Sequence, residues 1–232
     1  MNVQIDVEKA TNFVKEDPDG IRKFLIGCFT LLLSFLILPA LSTMGYAMEA
    51  ARESSEGEDQ KMPEWNRWAE FMARGFWLLL IGAVILSIPI ALNIFGTWRN
   101  FVTALGTSKA DAVLTGSEVS MLGPICLKAS LALGLVLSYL LPGAYLRYAR
   151  TLKPADGFAL GGVLHDIKQS PMEYTLIWAI PMVIFFLSNL LISLQLPFNL
   201  GYVASVAPNF FAMILGAKLM GQYYRAHLTN NP

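Results

Sequence analysis

The sequence predicts an all-α fold: an integral membrane helical bundle of about five proline-kinked transmembrane helices, accompanied by amphipathic interfacial helices. Three observations predict it. Of 232 residues, 55% are hydrophobic and 15% charged, against about 45–50% and 25% in soluble domains, a displacement toward lipid burial. Charges are absent from several stretches of roughly 20 residues or more, the length that crosses a hydrocarbon core in which a central charge is costly. Each expected span also carries one proline, at Pro39, Pro89, Pro142, Pro181 and Pro208, and a freed carbonyl inside a membrane has to be satisfied by a packed neighbour.

Residues 1–23 form an amphipathic N-terminal segment, with Val3, Val7, Ala10 and Val14 on one face and Glu8, Lys9, Lys15 and Glu16 elsewhere, ended by Asp17-Pro18-Asp19-Gly20. Residues 24–232 then form a single transmembrane domain. The run Phe24 to Met48, between Lys23 and Glu49, exceeds the 7–15 residues of a signal-peptide core and predicts a retained first span over 24–48. Gly75 to Trp98 predicts the second span (75–98) and Ala129 to Leu146 the third (129–146). Tyr174 to Ala217 is uncharged for 44 residues and is interrupted near its middle by Gln195, Pro197, Asn199 and Gly201. This predicts a hairpin of two spans, 174–194 and 200–220. Asn100 to Gly123 is too polar to cross and reads as an exposed connection containing one short helix.

Two connections predict helices lying in the interface plane. After the hydrophilic stretch Arg52 to Lys61, Pro63 can open a helix over 63–74 in which Trp65, Trp68 and Met72 share one face while Glu64, Arg67, Glu70 and Arg74 take the other. Tryptophan at headgroup depth suits that face. Over 156–169, Leu160, Leu164 and Ile167 line one face and His165, Lys168 and Gln169 the other. The order of span, Tyr/Arg-bearing exit and amphipathic helix therefore occurs twice, and the last span ends in a third such exit.

Met62-Pro63-Glu64-Trp65-Asn66-Arg67-Trp68, followed by Arg74-Gly75 and a span, resembles the Pro-Glu-Trp signature of the prokaryotic membrane family called domain of unknown function 4013. So do Leu146-Arg147-Tyr148-Ala149-Arg150 leading to Phe158, Tyr174 at a span entry, and the terminal Gly221-Gln222-Tyr223-Tyr224-Arg225. The resemblance covers roughly residues 20–228. It implies a polytopic prokaryotic membrane protein and supplies no catalytic residue.

Chemistry-bearing residues are sparse where a buried site would need them. The five expected spans hold no His, Asp or Glu, so no metal centre, cofactor or catalytic residue is expected. His165-Asp166 with Glu173 reads as the polar face that an amphipathic helix requires, and Asn93, Ser138, Ser188, Asn189 and Ser193 as hydrogen-bonding groups between helices or at prolines. Lys128 and Lys218 are placed to snorkel toward headgroups. Cys28 and Cys126 are expected as buried thiols. Lys+Arg and Asp+Glu balance at 17 each, which gives no electrostatic reason to expect nucleic acid as a partner. Five spans place 10 basic residues on the side of the interfacial helices against 7 opposite, favouring a cytoplasmic location for those helices in a cell membrane, the inner one of a prokaryote. Arg22-Lys23 pulls the other way. The expected function is a non-catalytic accessory or scaffolding subunit that contacts membrane lipids and either other membrane-protein subunits or its own copies. The alternative is a small oligomeric transporter or lipid-handling protein, suggested by the repeated unit and the prolines.

Overall fold

A computed structural model of the chain describes residues 5–105, 117–193 and 197–228. Within them the regular elements are all helices: α1 (Val7–Thr11), α2 (Phe13–Glu16), α3 (Gly20–Leu32), α4 (Ile37–Ser55), α5 (Trp68–Ile85), α6 (Ser87–Leu105), α7 (Ser117–Ser138), α8 (Leu141–Thr151), α9 (Pro154–Gly157), α10 (Leu160–Gln169), α11 (Pro171–Ser193), a 3-10 turn (Pro197–Asn199) and α12 (Leu200–His227). The all-α architecture expected from the sequence is the one observed.

Prolines decide where the apolar runs break. A helical proline lacks the N–H that would bond the carbonyl four residues earlier, and its ring crowds that carbonyl. α5 ends at Ile85, four residues before Pro89, and α7 ends at Ser138, four residues before Pro142. Pro39, Pro89 and Pro142 each stand within the first three residues of a new helix, where N–H groups have no intrahelical partner to lose. Three of the five expected kinks are therefore helix starts. Pro181 and Pro208, with Pro124, stay inside continuous helices.

This changes the span count. α5, α11 and α12 are each long and apolar enough to cross a membrane, and residues 122–151 make a fourth crossing if their two helices, bent by 43°, count as one span. The run over 24–48 is not one helix: it is divided between α3 and α4 at residues 33–36, with Leu36 extended, and α4 continues through Glu49, Arg52 and Glu53. The run over 75–98 is likewise split at Leu86, its first part continuous with α5. The hairpin of 174–194 and 200–220 is observed as α11 and α12, with residue 194 outside the described residues. Of the connection from 100 to 123, residues 106–116 lie outside them, and its flanks belong to α6 and α7.

The interfacial segment expected over 63–74 is also corrected. Residues 61–67 are non-helical, and Trp68 opens α5 and runs straight into the span. Pro63 therefore starts no helix. In the segment over 156–169, α10 is a separate short helix whose buried residues are Val163, Asp166 and Ile167, while Leu160 and Leu164 are exposed. Cys28 and Cys126 are free and only partly buried.

The chain forms two compact units. In the unit spanning 82–141, α6 packs along α7, with Gly96 so close that a β-carbon there would stand 2.9 Å from the carbonyl oxygen of Gly123. Ser130 donates a 2.7 Å hydrogen bond to the carbonyl of Pro89, a case of a polar side chain satisfying backbone across helices. In the unit made of 1–81 and 142–232, α12 is central, packed on α11, α4 and α3. Its core joins Phe13, Tyr46, Phe71, Phe210 and Ile214. Glycines permit the closest approaches: a β-carbon on Gly45 would lie 1.9 Å from the Phe71 carbonyl oxygen, and one on Gly221 2.4 Å from that of Ala51.

Candidate functional site

At one end of the larger unit, the second half of α4, residues 56–67, the start of α3 and the last turns of α12 bring charged side chains together. The segment 56–67 has no ladder or helix to satisfy its backbone, so side chains of its neighbours do this. Lys218, fully buried, donates from Nζ to the carbonyl oxygens of Asp59 at 2.5 Å and Lys61 at 2.7 Å. Asp59 in turn receives Arg225 at 2.7 Å and has Lys9 at 3.5 Å, with Ser54 Oγ 2.5 Å from its second oxygen. Arg225 also donates to the carbonyl of Ser54 at 3.0 Å.

A second cluster holds the other end of the segment. Asp17 accepts from Lys23 Nζ at 2.9 Å, from the Met62 N–H at 2.8 Å and from the Asp19 N–H at 2.9 Å. Burial pushes its carboxyl up, but those donors outweigh it and hold it below the ordinary carboxylate value. Lys23 also pairs with Glu64 at 2.7 Å and donates to the Met62 carbonyl at 2.9 Å, filling its three donors. Trp65 lies flat on Tyr46, ring centroids 3.9 Å apart and planes 4° from parallel; its indole N–H donates to the Lys23 carbonyl at 3.0 Å, and the Tyr46 hydroxyl donates to that of Pro63 at 2.9 Å. On α4, Glu49 accepts from Arg67 at 2.7 Å and from Arg74.

The third cluster joins α8, α10, α11 and α12. Arg147 pairs with Asp166 at 2.7 Å, its guanidinium lying against Gly162, where a β-carbon would stand 2.5 Å from Cζ. The Tyr223 hydroxyl donates to the Asp166 carbonyl at 2.6 Å, Arg150 stacks on the Tyr224 ring at 3.9 Å, and His227 pairs with Glu173. Gln222 Oε1 accepts from the Asp6 N–H at 2.9 Å, while its Nε2, also buried, has no hydrogen-bond partner among the described residues.

The residues singled out from the sequence separate cleanly. Pro63, Glu64, Trp65, Arg147, Tyr148, Arg150, Gly221, Gln222, Tyr224 and Arg225 all fall in the larger unit, most of them in these clusters. The set expected at lipid headgroups divides. Trp65 is 8% exposed and faces Tyr46, not lipid, whereas Trp68 is 42% exposed; Met72 is half-buried, Leu160 and Leu164 are exposed and Ile167 is buried. Lys218 does not snorkel outward but turns into the protein. Ser138, Ser188, Asn189 and Ser193 bond carbonyls of their own helices rather than bridging to others by those contacts. Sequence reasoning missed Asp17, Lys23, Glu49 and Asp59 as buried ion-pair members; Lys23 and Glu49 were marked only as the charges bounding an apolar run, and Asp17 and Asp59 lie in polar stretches with no such signal. Among the described residues no group of three His, Cys, Asp or Glu is arranged to hold a metal.

Residues 28–196 match the family described as "Protein of unknown function (DUF4013)". The terminal motif at 221–225 lies beyond that match. No curated protein and no solved structure matches the chain.

Proposed function

We propose that this chain, which belongs to the DUF4013 family, is a multi-pass protein of the cell membrane that works by association, as a non-catalytic accessory or scaffolding subunit. The observation that carries this reading is the use of the charged groups. Asp17, Glu49, Asp59, Asp166 and Glu173 each have a basic partner within the chain, and removing one member of a buried pair leaves an uncompensated charge. Meanwhile large apolar side chains stand outward along the span candidates and the smaller unit, among them Leu131, Val136, Phe186 and Leu187. Such surfaces suit lipid and neighbouring membrane helices. Of the polar group His165, Asp166 and Glu173, Asp166 pairs with Arg147 and Glu173 with His227, in keeping with a structural role.

One observation favours the transporter reading: apolar runs interrupted at 33–36, Leu86 and 139–140, because discontinuous helices are a feature of transporter sites. A photo-crosslinking residue placed at Leu131 or Phe186 in cells separates the two. The expected result is an adduct with a different membrane protein that stays stoichiometric through purification in mild detergent. Adducts only with further copies, together with solute or lipid movement in reconstituted vesicles, would replace the accessory reading with the transporter one.

A further inference from the structure

The apolar run over 24–48 begins and ends against the same stretch of chain. Before it, Lys9 pairs with Asp59 at 3.5 Å, and Lys23 donates to the Met62 carbonyl at 2.9 Å and pairs with Glu64 at 2.7 Å. After it, the Tyr46 hydroxyl donates to the Pro63 carbonyl at 2.9 Å and Glu49 accepts from Arg67 at 2.7 Å. We infer that α3, the break at 33–36 and the first half of α4 form a re-entrant hairpin, whose apolar tip over 35–38 sits among the acyl chains of the bilayer while both its ends stay on one side. The inference rests on the membrane reading above.

Contacts with α12 give the direction of each limb. Gly27 lies against the Phe210 ring, and further along α3 the Leu32 carbonyl accepts from the Tyr202 hydroxyl at 3.2 Å, so α3 runs against α12. Tyr46 stands beside Phe210, ring centroids 6.2 Å apart, and Ser54 donates to the Lys218 carbonyl at 2.8 Å, so α4 runs along α12. The two limbs are therefore antiparallel. From Lys23 to Leu32 and from Ile37 to Glu49 they rise about 14 and 18 Å, against a hydrocarbon core of about 30 Å, which leaves the tip inside that core. The composition of the tip suits the depth. Phe35, Leu36, Ile37 and Leu38 are all 51–74% exposed, and no charge stands between Lys23 and Glu49; a contiguous patch of this kind marks contact with an apolar phase. The N–H groups of Leu33, Ser34 and Leu36 bond carbonyls three or four residues earlier at 3.1, 3.0 and 2.9 Å, which lowers the cost of a turn away from water. Charge placement agrees. With the hairpin, every Lys and Arg outside 82–141 falls on the side of the 56–67 segment, the bias that marks a cytoplasmic face, and Arg22-Lys23 no longer opposes it.

The test uses the full-length chain in a background lacking Cys28 and Cys126, carrying Lys15→Cys, Glu58→Cys or Phe35→Cys singly. In cells before and after permeabilisation, the first two should react with an impermeant maleimide from the same side and at similar rates. Phe35→Cys should react at least about tenfold more slowly from either side, because the thiolate is the nucleophile and forms poorly in hydrocarbon. In purified protein returned to lipid vesicles, a spin label at Phe35→Cys should meet oxygen freely and a water-soluble nickel complex hardly at all, the reverse of the label at Glu58→Cys. Labelling of Lys15→Cys and Glu58→Cys from opposite sides would mean a run that crosses once, and would overturn the hairpin. Rapid reaction of Phe35→Cys from the far side would mean two short spans and overturn it too. A tip label shielded from both oxygen and nickel is covered by protein, which overturns lipid as its partner. If Phe35→Cys does not insert, Ile37→Cys, at a position 74% exposed, decides by the same readings. A parent chain that fails to float with the vesicles would overturn the membrane reading as well, whereas one that floats but labels from opposite sides removes the hairpin alone.

Discussion

Beside the paired acids stands Glu53, half-buried on α4, whose carboxyl group has neither a hydrogen bond nor an ion pair among the described residues. Burial, and then the Glu49 carboxylate, push its pKa from 4.5 up to about 7. The folded chain therefore prefers the protonated form, so stability falls as pH rises from about 4.5 through 7 and remains lowered above that. Glu53→Gln should remove this slope and raise the melting temperature at pH 8 by about 2–4 °C, for a gain on the order of 1 kcal/mol. A thermal unfolding series in detergent checks it; an unchanged pH profile would mean that Glu53 is solvated. Asp17 has the opposite sign, since its carboxyl is held below 3.8 and its contribution is lost only as pH falls through that lower value. None of this was readable from residue order. Glu49 and Lys218 look alike in sequence, as charges at the edges of apolar runs, and what separates them is which element packs beside each. Trp65 and Trp68 make the same point: their spacing suits one helical face, yet only a helix would use it, and Trp65 precedes the helix.

Elements were more legible than residues because apolar run length and proline position are local properties. α11 and α12 follow the expected boundaries closely. In the misread runs the break falls just before the proline, at 33–36, 86 and 139–140: a run that could have been one kinked helix is two helices when its proline occupies a first turn. The same rule yields a prediction. Pro142→Ala supplies an N–H four residues after Ser138, so amide exchange over 139–141 should slow by about tenfold or more as the two helices join. Pro181→Ala, inside a helix already continuous, should leave its neighbourhood nearly unchanged. Equal effects at both sites would show that the breaks are imposed by packing and not by proline.

At the scale of the molecule, the end of α12 ties together two segments that are far apart in sequence. Arg225 holds Asp59 at 2.7 Å and Tyr223 holds the Asp166 carbonyl at 2.6 Å, two residues apart on one helix end. If α12 crosses the membrane, single cysteines at Glu58 and His165, in a background lacking Cys28 and Cys126, should react alike with an impermeant maleimide. Opposite labelling would break this assignment. The same ties carry a consequence for the timing of synthesis. Lys218 and Asp59 are separated by 159 positions, and ribosomes add about 5–20 residues per second, so the lysine emerges roughly 10–30 s after its partner. The smaller unit, residues 82–141, is made within that interval, while Asp59 and the carbonyls of its segment wait for their donors. The nascent chain thus passes through a long stage in which its polar layer is half-built, and a chain interrupted before α12 would stay there, exposed to the proteases that clear unfinished membrane proteins.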